Sequence, residues 1–242
     1  MKAIAQHILR ITLLVLFAAA ATVLFQTVAN AQNPELQERV AEMKQAAAKN
    51  KQSLAQYMYV EQVTISLKGE QKKVEHFQVR TGPDGKPQKT SLDPPADASA
   101  PKGGRMKQHI VEKKKEEYKD YAEQMKTLAQ QYVPPDKDKL QQAYEQGNIT
   151  LGPVAGNPND LQLVIHNYVK PNDSMTLVFD KAQKELVQIQ IASYMDDPKD
   201  AMNLTVKFDR LTDGTNHVSG MVIDGVSKQL SIATQNSDYQ HL

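Results

Sequence analysis

The sequence predicts an α+β protein: a strongly curved antiparallel sheet, an open half-barrel of about nine strands, wrapped around an N-terminal helix and an inserted helical pair. Three observations predict this class. The last third of the chain is a series of short segments in which apolar and polar residues alternate between turn formers. Helical periodicity appears before the first strand and again in the middle of the chain. A sheet with one apolar face must cover it, and these helices are the available cover.

The N-terminus has the layout of a Sec signal peptide. Lys2 and Arg10 flank a basic region, Ile11 to Phe25 forms an apolar core, and Ala29-Asn30-Ala31 places small residues at the −3 and −1 positions. The apolar run is shorter than the roughly 18 residues that a membrane span requires, although a retained anchor is the alternative. We therefore expect a signal peptide over residues 1–31, cleavage after Ala31, a periplasmic or secreted location, and a single domain over residues 32–242.

Composition excludes two classes of protein. The chain carries 29 Lys and Arg against 28 Asp and Glu, which argues against binding nucleic acid through general electrostatics. It contains no cysteine, so neither a disulfide framework nor lipid attachment through an N-terminal cysteine is available. The stability of the fold must therefore come from its apolar core.

An amphipathic helix is predicted first. Asn33 is a capping residue, Pro34 stands where a missing N–H costs nothing, and Glu35 lies near the positive end of the helix dipole. We expect this helix to end between residues 52 and 54. One narrow apolar stripe recurs along it at helical spacing: Leu36, Val40, Met43, Ala47 and Leu54.

The period then changes from helical to alternating. Tyr57–Leu67 is predicted to be a long half-buried strand, and Val74–Thr81 a second strand. Gly82-Pro83-Asp84-Gly85 predicts a tight turn, because proline fixes one φ and glycine accepts a positive one. A third strand over Lys86–Leu92 should lie at an edge, because Pro87 has no N–H to donate.

A helical insertion interrupts the strands. Residues 93–104 are rich in Pro, Ala, Gly and Ser and predict a loop. Arg105–Val133 reads as a long helix that Pro134-Pro135 ends. Asp136 should cap a shorter helix that ends at Gly147. The insertion therefore covers residues 105–147.

The remainder is predicted to be an antiparallel meander, because successive strands are joined by short turns rich in Asn, Asp and Gly. Six strands are expected there: Leu161–Val169, Met175–Asp180, Leu186–Met195, Met202–Asp209, His217–Ile223 and Lys228–Thr234.

No motif for catalysis, metal binding or cofactor binding appears in the sequence. H-E-x-x-H, Cys/His clusters, G-x-S-x-G and the S-x-x-K set are all missing. Asp196-Asp197-Pro198 fits a turn, since adjacent carboxylates do not approach one substrate from opposite sides. We therefore expect a non-enzyme without catalytic residues, cofactor or metal. A hydrolase whose residues assemble only in the folded chain is a third hypothesis.

The order of elements resembles that of the periplasmic carriers of outer-membrane lipoproteins, the LolA/LolB-like superfamily. The matching segments are the helix NPELQERVAEMKQAAAKNKQSL, the strand YMYVEQVTISLKGE, a hairpin around GPDGK, the helical insertion and the long meander. The resemblance is one of pattern, covers most of the chain after residue 31, and includes no diagnostic motif. The long lysine-rich helix and the absence of Trp depart from the usual carriers.

The resemblance implies an unclosed barrel, lined with apolar side chains and lidded by helices, that shields acyl chains. It implies an exported carrier of lipid acyl chains or lipoproteins, with an envelope transport partner. The alternative is a non-catalytic structural or interaction module of the envelope whose core is filled by its own helices. The residues expected to line the lipid groove are Tyr57, Tyr59, Val63, Ile65, Phe77, Leu177, Phe179, Ile189, Leu204, Val206 and Phe208.

Overall fold

The computed structural model describes residues 48–94, 105–133, 135–183 and 185–242. The predicted signal peptide, its cleavage site, the first part of the predicted N-terminal helix and residues 95–104 of the predicted loop lie outside the described residues. Residues 48–54, called α1, are helical, which agrees with the predicted end of the first helix.

Ten strands and two further helices follow α1 in the described part of the chain. Their bounds are β1 (Tyr57–Leu67), β2 (Glu70–Thr81), β3 (Pro87–Ser91), α2 (Arg105–Ala129), α3 (Lys137–Glu145), β4 (Ile149–Val154), β5 (Asn157–His166), β6 (Ser174–Asp180), β7 (Glu185–Tyr194), β8 (Ala201–Arg210), β9 (Asn216–Gly225) and β10 (Leu230–His241).

The strands form one antiparallel sheet in the order β3-β2-β1-β10-β9-β8-β7-β6-β5-β4. The first strand pairs with the last one, which places the N-terminal hairpin beside the end of the meander. Within the described residues, the edge strands β3 and β4 do not pair, so the sheet is open. The helical insertion connects β3 to β4, and it therefore joins the two opposite edges of the sheet.

The sheet has one more strand than the nine predicted. The additional strand is β4, whose sequence ITLGPV contains Gly152 and Pro153. Both residues disfavour a central strand but are tolerated at an edge, where β4 lies. The last strand is also longer than predicted and reaches His241, which pairs with Tyr57. Its polar sequence and the positive φ of Asp238 (+53°) interrupt the alternation that would have marked it.

Register shifts interrupt five of the nine strand pairings, at residues 58–60, 65–66, 153–154, 178–179 and 207–208. A β-bulge bends its strand and increases the local twist. Together with the long antiparallel sheet and the few helices, these bulges fit the curved α+β class that the sequence predicts.

Two rows of side chains cross one face of the sheet, here called the apolar face. Residues paired directly across antiparallel strands point to the same side, so the register defines each row. The first row crosses eight strands and consists of Ile65, Ile232, Ile223, Leu204, Ile191, Met175, Ile165 and Ile149. The second row crosses the same strands through Val63, Thr234, Met221, Val206, Ile189, Leu177, Leu163 and Leu151.

The helical insertion contributes to the same core. The second half of α2 buries Tyr121, Met125 and Leu128, and α3 buries Leu140, in one cluster with the side chains of the two rows. Asp136 caps α3 as predicted, because its carboxylate accepts the N–H groups of residues 138 and 139. Burial of these apolar side chains is the main force that holds the helices against the sheet.

Candidate functional site

The candidate site is the apolar face, and most of the residues predicted to line a groove meet there. Six are buried in one cluster: Val63, Phe77, Leu177, Ile189, Leu204 and Val206. Four are partly buried and pack against it: Tyr59, Ile65, Phe179 and Phe208. Tyr57 is not in this cluster, and its hydroxyl donates to Asp213 Oδ2 at 2.8 Å in an exposed position. That these residues contact a ligand stays a prediction.

At one end of the apolar face, α2 packs directly over a glycine of β9. A Cβ atom at Gly225 of β9 would lie 2.4 Å from Tyr121 Cε1 and 2.8 Å from Met125 Sδ, so the helix approaches the strand more closely than a side chain would allow. Tyr121 is further fixed by its hydroxyl, which donates to Asp200 Oδ1 at 2.5 Å. Burial, and then this hydrogen bond, raises the pKa of Tyr121 to about 12.

The end of the helical segment is fixed by a second tyrosine. The Tyr132 hydroxyl donates to Asp173 Oδ2 at 2.5 Å, and Ser193 Oγ lies 2.6 Å from the same oxygen. Since the single Tyr132 proton is directed at Asp173, Ser193 is the donor in the second contact. Burial, followed by the hydrogen bond to Asp173, raises the pKa of Tyr132. Both tyrosines therefore hold the helical insertion against the sheet by hydrogen bonds to the carboxylates of Asp200 and Asp173.

Towards β3 the apolar face becomes polar. Glu61 lies opposite Phe77 and Asn236, on the face that carries Val63. Its carboxylate forms an ion pair with Lys89 of β3, and the two side chains are only 4% and 10% exposed. A buried pair of this kind costs desolvation energy and needs both partners to be retained.

A second polar group adjoins this pair at the ends of β9 and β10. The Tyr239 ring stacks on Tyr59 with 4.8 Å between centroids, and the His217 ring lies 4.3 Å from Tyr239. Asn236 Nδ2 and the Tyr239 hydroxyl both donate to the Val218 carbonyl, at 2.9 and 3.3 Å. We call these residues the polar corner: Tyr59, Glu61, Lys89, His217, Asn236 and Tyr239.

The hydroxyls of the polar corner are held neutral by their surroundings. Burial, and to a lesser extent the Glu61 carboxylate, raises the pKa of Tyr59. Burial also raises the pKa of Tyr239, with further contributions from Tyr59 and Glu61. Glu61 lies two residues from Tyr59 on the same face of β1.

Reasoning from the sequence missed the polar corner. Glu61 occupies an inward position between Tyr59 and Val63, so a charged residue in an otherwise apolar alternation was the available signal. Its partner Lys89 lies 28 positions away, on a strand whose register the sequence does not specify. His217 and Tyr239 meet only because β10 continues past its predicted end.

The described residues contain no group of three or more His, Cys, Asp or Glu arranged to hold a metal ion. No helix among them is both long and apolar enough to cross a membrane.

Two solved structures are similar to the chain. A DUF1329 family protein from Desulfovibrio piger has a TM-score of 0.37 and 12% sequence identity, over 80% of this chain and 89% of that one. A LolA superfamily protein from Nitrosomonas europaea has a TM-score of 0.33 and 8% identity, over 81% of this chain and 93% of that one. At these TM-scores neither bears on the ligand, and no family model and no curated protein matches the sequence.

Proposed function

We propose that the chain is an exported, non-catalytic carrier that binds acyl chains of lipids or lipoproteins against the apolar face of its sheet. The observation that supports this most directly is the width of that face. Its two rows cross eight strands, and the second row ends at Leu151, whose side chain is 66% exposed. Apolar residues on the sheet thus extend beyond the part that α2 and α3 cover.

The energy available to such a face is sufficient without any catalytic group. Transfer of an acyl chain of about fourteen methylenes out of water gains roughly 11 kcal/mol, at about 0.8 kcal/mol for each methylene. Part of this gain offsets the ordering of the chain and the displacement of side chains already present. Binding of an acyl chain therefore requires only an apolar surface from which the covering helices can move away.

The core that α2 shares with the sheet contains several methionines. Met125 of α2 and Met175, Met202 and Met221 of the sheet are all buried in the cluster. Methionine has three rotatable bonds and a polarisable sulfur, so it repacks around different neighbours at small cost. Such a contact favours a cover that shifts to admit cargo. A transport partner in the envelope and a periplasmic location belong to the same proposal.

A pair of exposed substitutions tests the carrier. Leu151→Gln removes an exposed apolar side chain from the second row, whereas Val222→Gln removes one, 37% exposed, from the opposite face. We expect Leu151→Gln to weaken the binding of a fluorescent fatty-acid probe by roughly five- to tenfold, because burying part of a leucine is worth about 1 kcal/mol or more. Val222→Gln should bind the probe as the wild type does. Equal affinities for the two variants would show that the second row is not the binding surface.

A self-filled structural module is the second candidate, and one observation favours it. Met125, Tyr132, Leu140, Ile165, Met175, Ile189 and Met202 are completely buried, so the middle of the apolar face is occupied by the chain itself. This candidate predicts a stably folded protein that binds no fatty-acid probe and copurifies with no lipid. Native mass spectrometry of the protein purified from the periplasm separates the two candidates.

A further inference from the structure

We infer that the polar corner binds the neutral, hydroxyl-bearing headgroup of an amphiphile whose tail lies along the second row of the apolar face. The inference rests on the proposed function and specifies its ligand. Two buried side-chain atoms of the described residues, His217 Nδ1 and Asn236 Oδ1, have no hydrogen-bond partner. Both belong to the polar corner, and His217 is 8% exposed.

The two atoms belong to a connected structure. Asn236 Nδ2 donates to the carbonyl of Val218, the residue that follows His217. This bond fixes the orientation of the Asn236 amide, so its oxygen is available as an acceptor. The Tyr239 hydroxyl donates to the same carbonyl, and its ring lies against the His217 imidazole. Buried polar atoms normally have partners, and an unpaired one costs about 1–3 kcal/mol.

The chemistry of the two atoms selects a hydroxyl group. A carboxylate only accepts and an ammonium only donates, whereas a hydroxyl does both. One hydroxyl can donate to Asn236 Oδ1, and another can accept from His217 Nδ1 when that nitrogen carries a proton. In the other imidazole tautomer, a second hydroxyl donates to Nδ1. A headgroup with neighbouring hydroxyls therefore satisfies the corner in either tautomer.

The charge of the corner favours a neutral headgroup over an ionic one. Glu61 already pairs with Lys89, and both side chains are almost completely buried. An additional net charge would be desolvated there without a counter-ion, which is strongly unfavourable. The class of ligand is therefore a polyol-headed lipid, such as a monoacylglycerol or a glycolipid with a neutral sugar.

The register directs the tail of the ligand. Along β1, Val63 follows Glu61 on the same face, and along β10 Thr234 precedes Asn236. Both belong to the second row, so a tail attached to a headgroup at Glu61 and Asn236 enters that row at once. The helix α1 lies beside this corner, because the Asn50 side chain exchanges two hydrogen bonds, of 2.7 and 3.0 Å, with the backbone of Asn216 next to His217.

Two ligands of equal chain length test the inference. We expect 1-monomyristoylglycerol to displace a fluorescent fatty-acid probe from the wild-type protein at about tenfold lower concentration than methyl myristate, since only the first offers hydroxyls to the corner. In His217→Phe the aromatic ring against Tyr239 is kept and the nitrogen is lost. This variant should lose the preference for the glycerol ester, so that the two esters displace the probe at similar concentrations. If the variant does not fold, the wild-type comparison decides alone.

Equal affinities of the two esters for the wild type would overturn the headgroup site, with ordered water as the partner of both atoms, and would leave the carrier intact. Failure of both esters to bind would overturn the carrier and the headgroup site together. Glycerol alone, at millimolar concentration, should not displace the monoester. Displacement by glycerol would assign the corner to a free polyol and overturn the amphiphile.

Discussion

Asp173 is 1% exposed, and its carboxylate accepts four hydrogen bonds. Three come from the backbone N–H groups of Tyr168, Val169 and Lys170 in the turn between β5 and β6, and the fourth from Tyr132. The turn in VKPNDSMTLVFD therefore reverses the chain and also positions the Asp173 carboxylate. This carboxylate accepts the hydrogen bond from Tyr132, which follows α2.

Asp173→Ala should destabilise the protein by about 3–5 kcal/mol, because several buried donors lose their acceptor at once. Asp213 provides the matched control, since it also accepts from a backbone N–H, a Thr hydroxyl and a Tyr hydroxyl but lies in an exposed turn. Asp213→Ala should lose less stability, because Asp213 and its bond from the Tyr57 hydroxyl are exposed and water replaces part of the lost acceptor. Urea denaturation at neutral pH measures both losses. Equal losses would mean that burial of Asp173 is not what makes it important.

Single residues differ in how far their roles can be predicted from the sequence. Turn chemistry is local, so the turn before Met175 was predictable from Asn172 and Asp173 alone. The partners of a buried charge are not local. Glu61 stands out in its strand, yet only the register of β1, β2 and β3 brings Lys89 to it.

At the scale of elements, α2 lies against β9 through a position without a side chain. Gly225 pairs with Met202 and Leu230 in the sheet, and the ring of Tyr121 occupies the space above it. The helix and the strand were both predicted from their periodicity. Their contact was not, because a glycine at the end of a strand also reads as part of a turn.

Gly225→Ala should displace Tyr121, weaken its bond to Asp200 and destabilise the protein by about 1–3 kcal/mol, as overpacking does. Gly220→Ala in the same strand is the control. Its nearest neighbour would be the Thr234 carbonyl oxygen at 3.5 Å, an ordinary contact, and its stability should change little. Thermal unfolding of both variants measures the difference. Tighter binding of a fatty-acid probe to Gly225→Ala than to the wild type would further indicate that the contact of α2 with β9 controls entry of the ligand to the apolar face. Equal stability of the two variants would show that the helix moves aside freely.

At the scale of the whole molecule, the local sequence pattern predicts the hairpins of the sheet, whereas the order of its strands depends on pairing between residues far apart in sequence. Consecutive hairpins follow from turns and alternation, as β8 shows with Met202, Leu204 and Val206 inward. The pairing of β1 with β10 brings the first and last strands of the sheet together and has no local signal. The same holds for the path of the insertion between the edges β3 and β4. Both depend on the total apolar surface that the sheet and its helices bury together.

The buried tyrosines give the whole fold a common response to alkali. Burial is the largest cause of a raised pKa in five of the nine tyrosines: Tyr59, Tyr121, Tyr132, Tyr168 and Tyr239. For Tyr121 and Tyr168 the folded pKa is about 12, against about 10 in an unfolded chain. A raised folded pKa stabilises fully below pH 10, and this stability is lost as the pH rises through the folded value.

We therefore expect the free energy of unfolding to fall between pH 10 and 12, as the unfolded chain releases tyrosine protons that the folded chain keeps. Absorbance at 295 nm should show that some tyrosines ionise near pH 10 in guanidinium but only at higher pH in the native protein. Lysines also titrate in this range, so the decisive measurement is the difference between the wild type and Tyr121→Phe. The free energy of unfolding of the variant should fall less steeply between pH 10 and 12, because one tyrosine whose pKa is raised in the folded protein has been removed. Identical slopes, or native tyrosines that all ionise near pH 10 before unfolding, would contradict the packing of α2 and β10 against the apolar face.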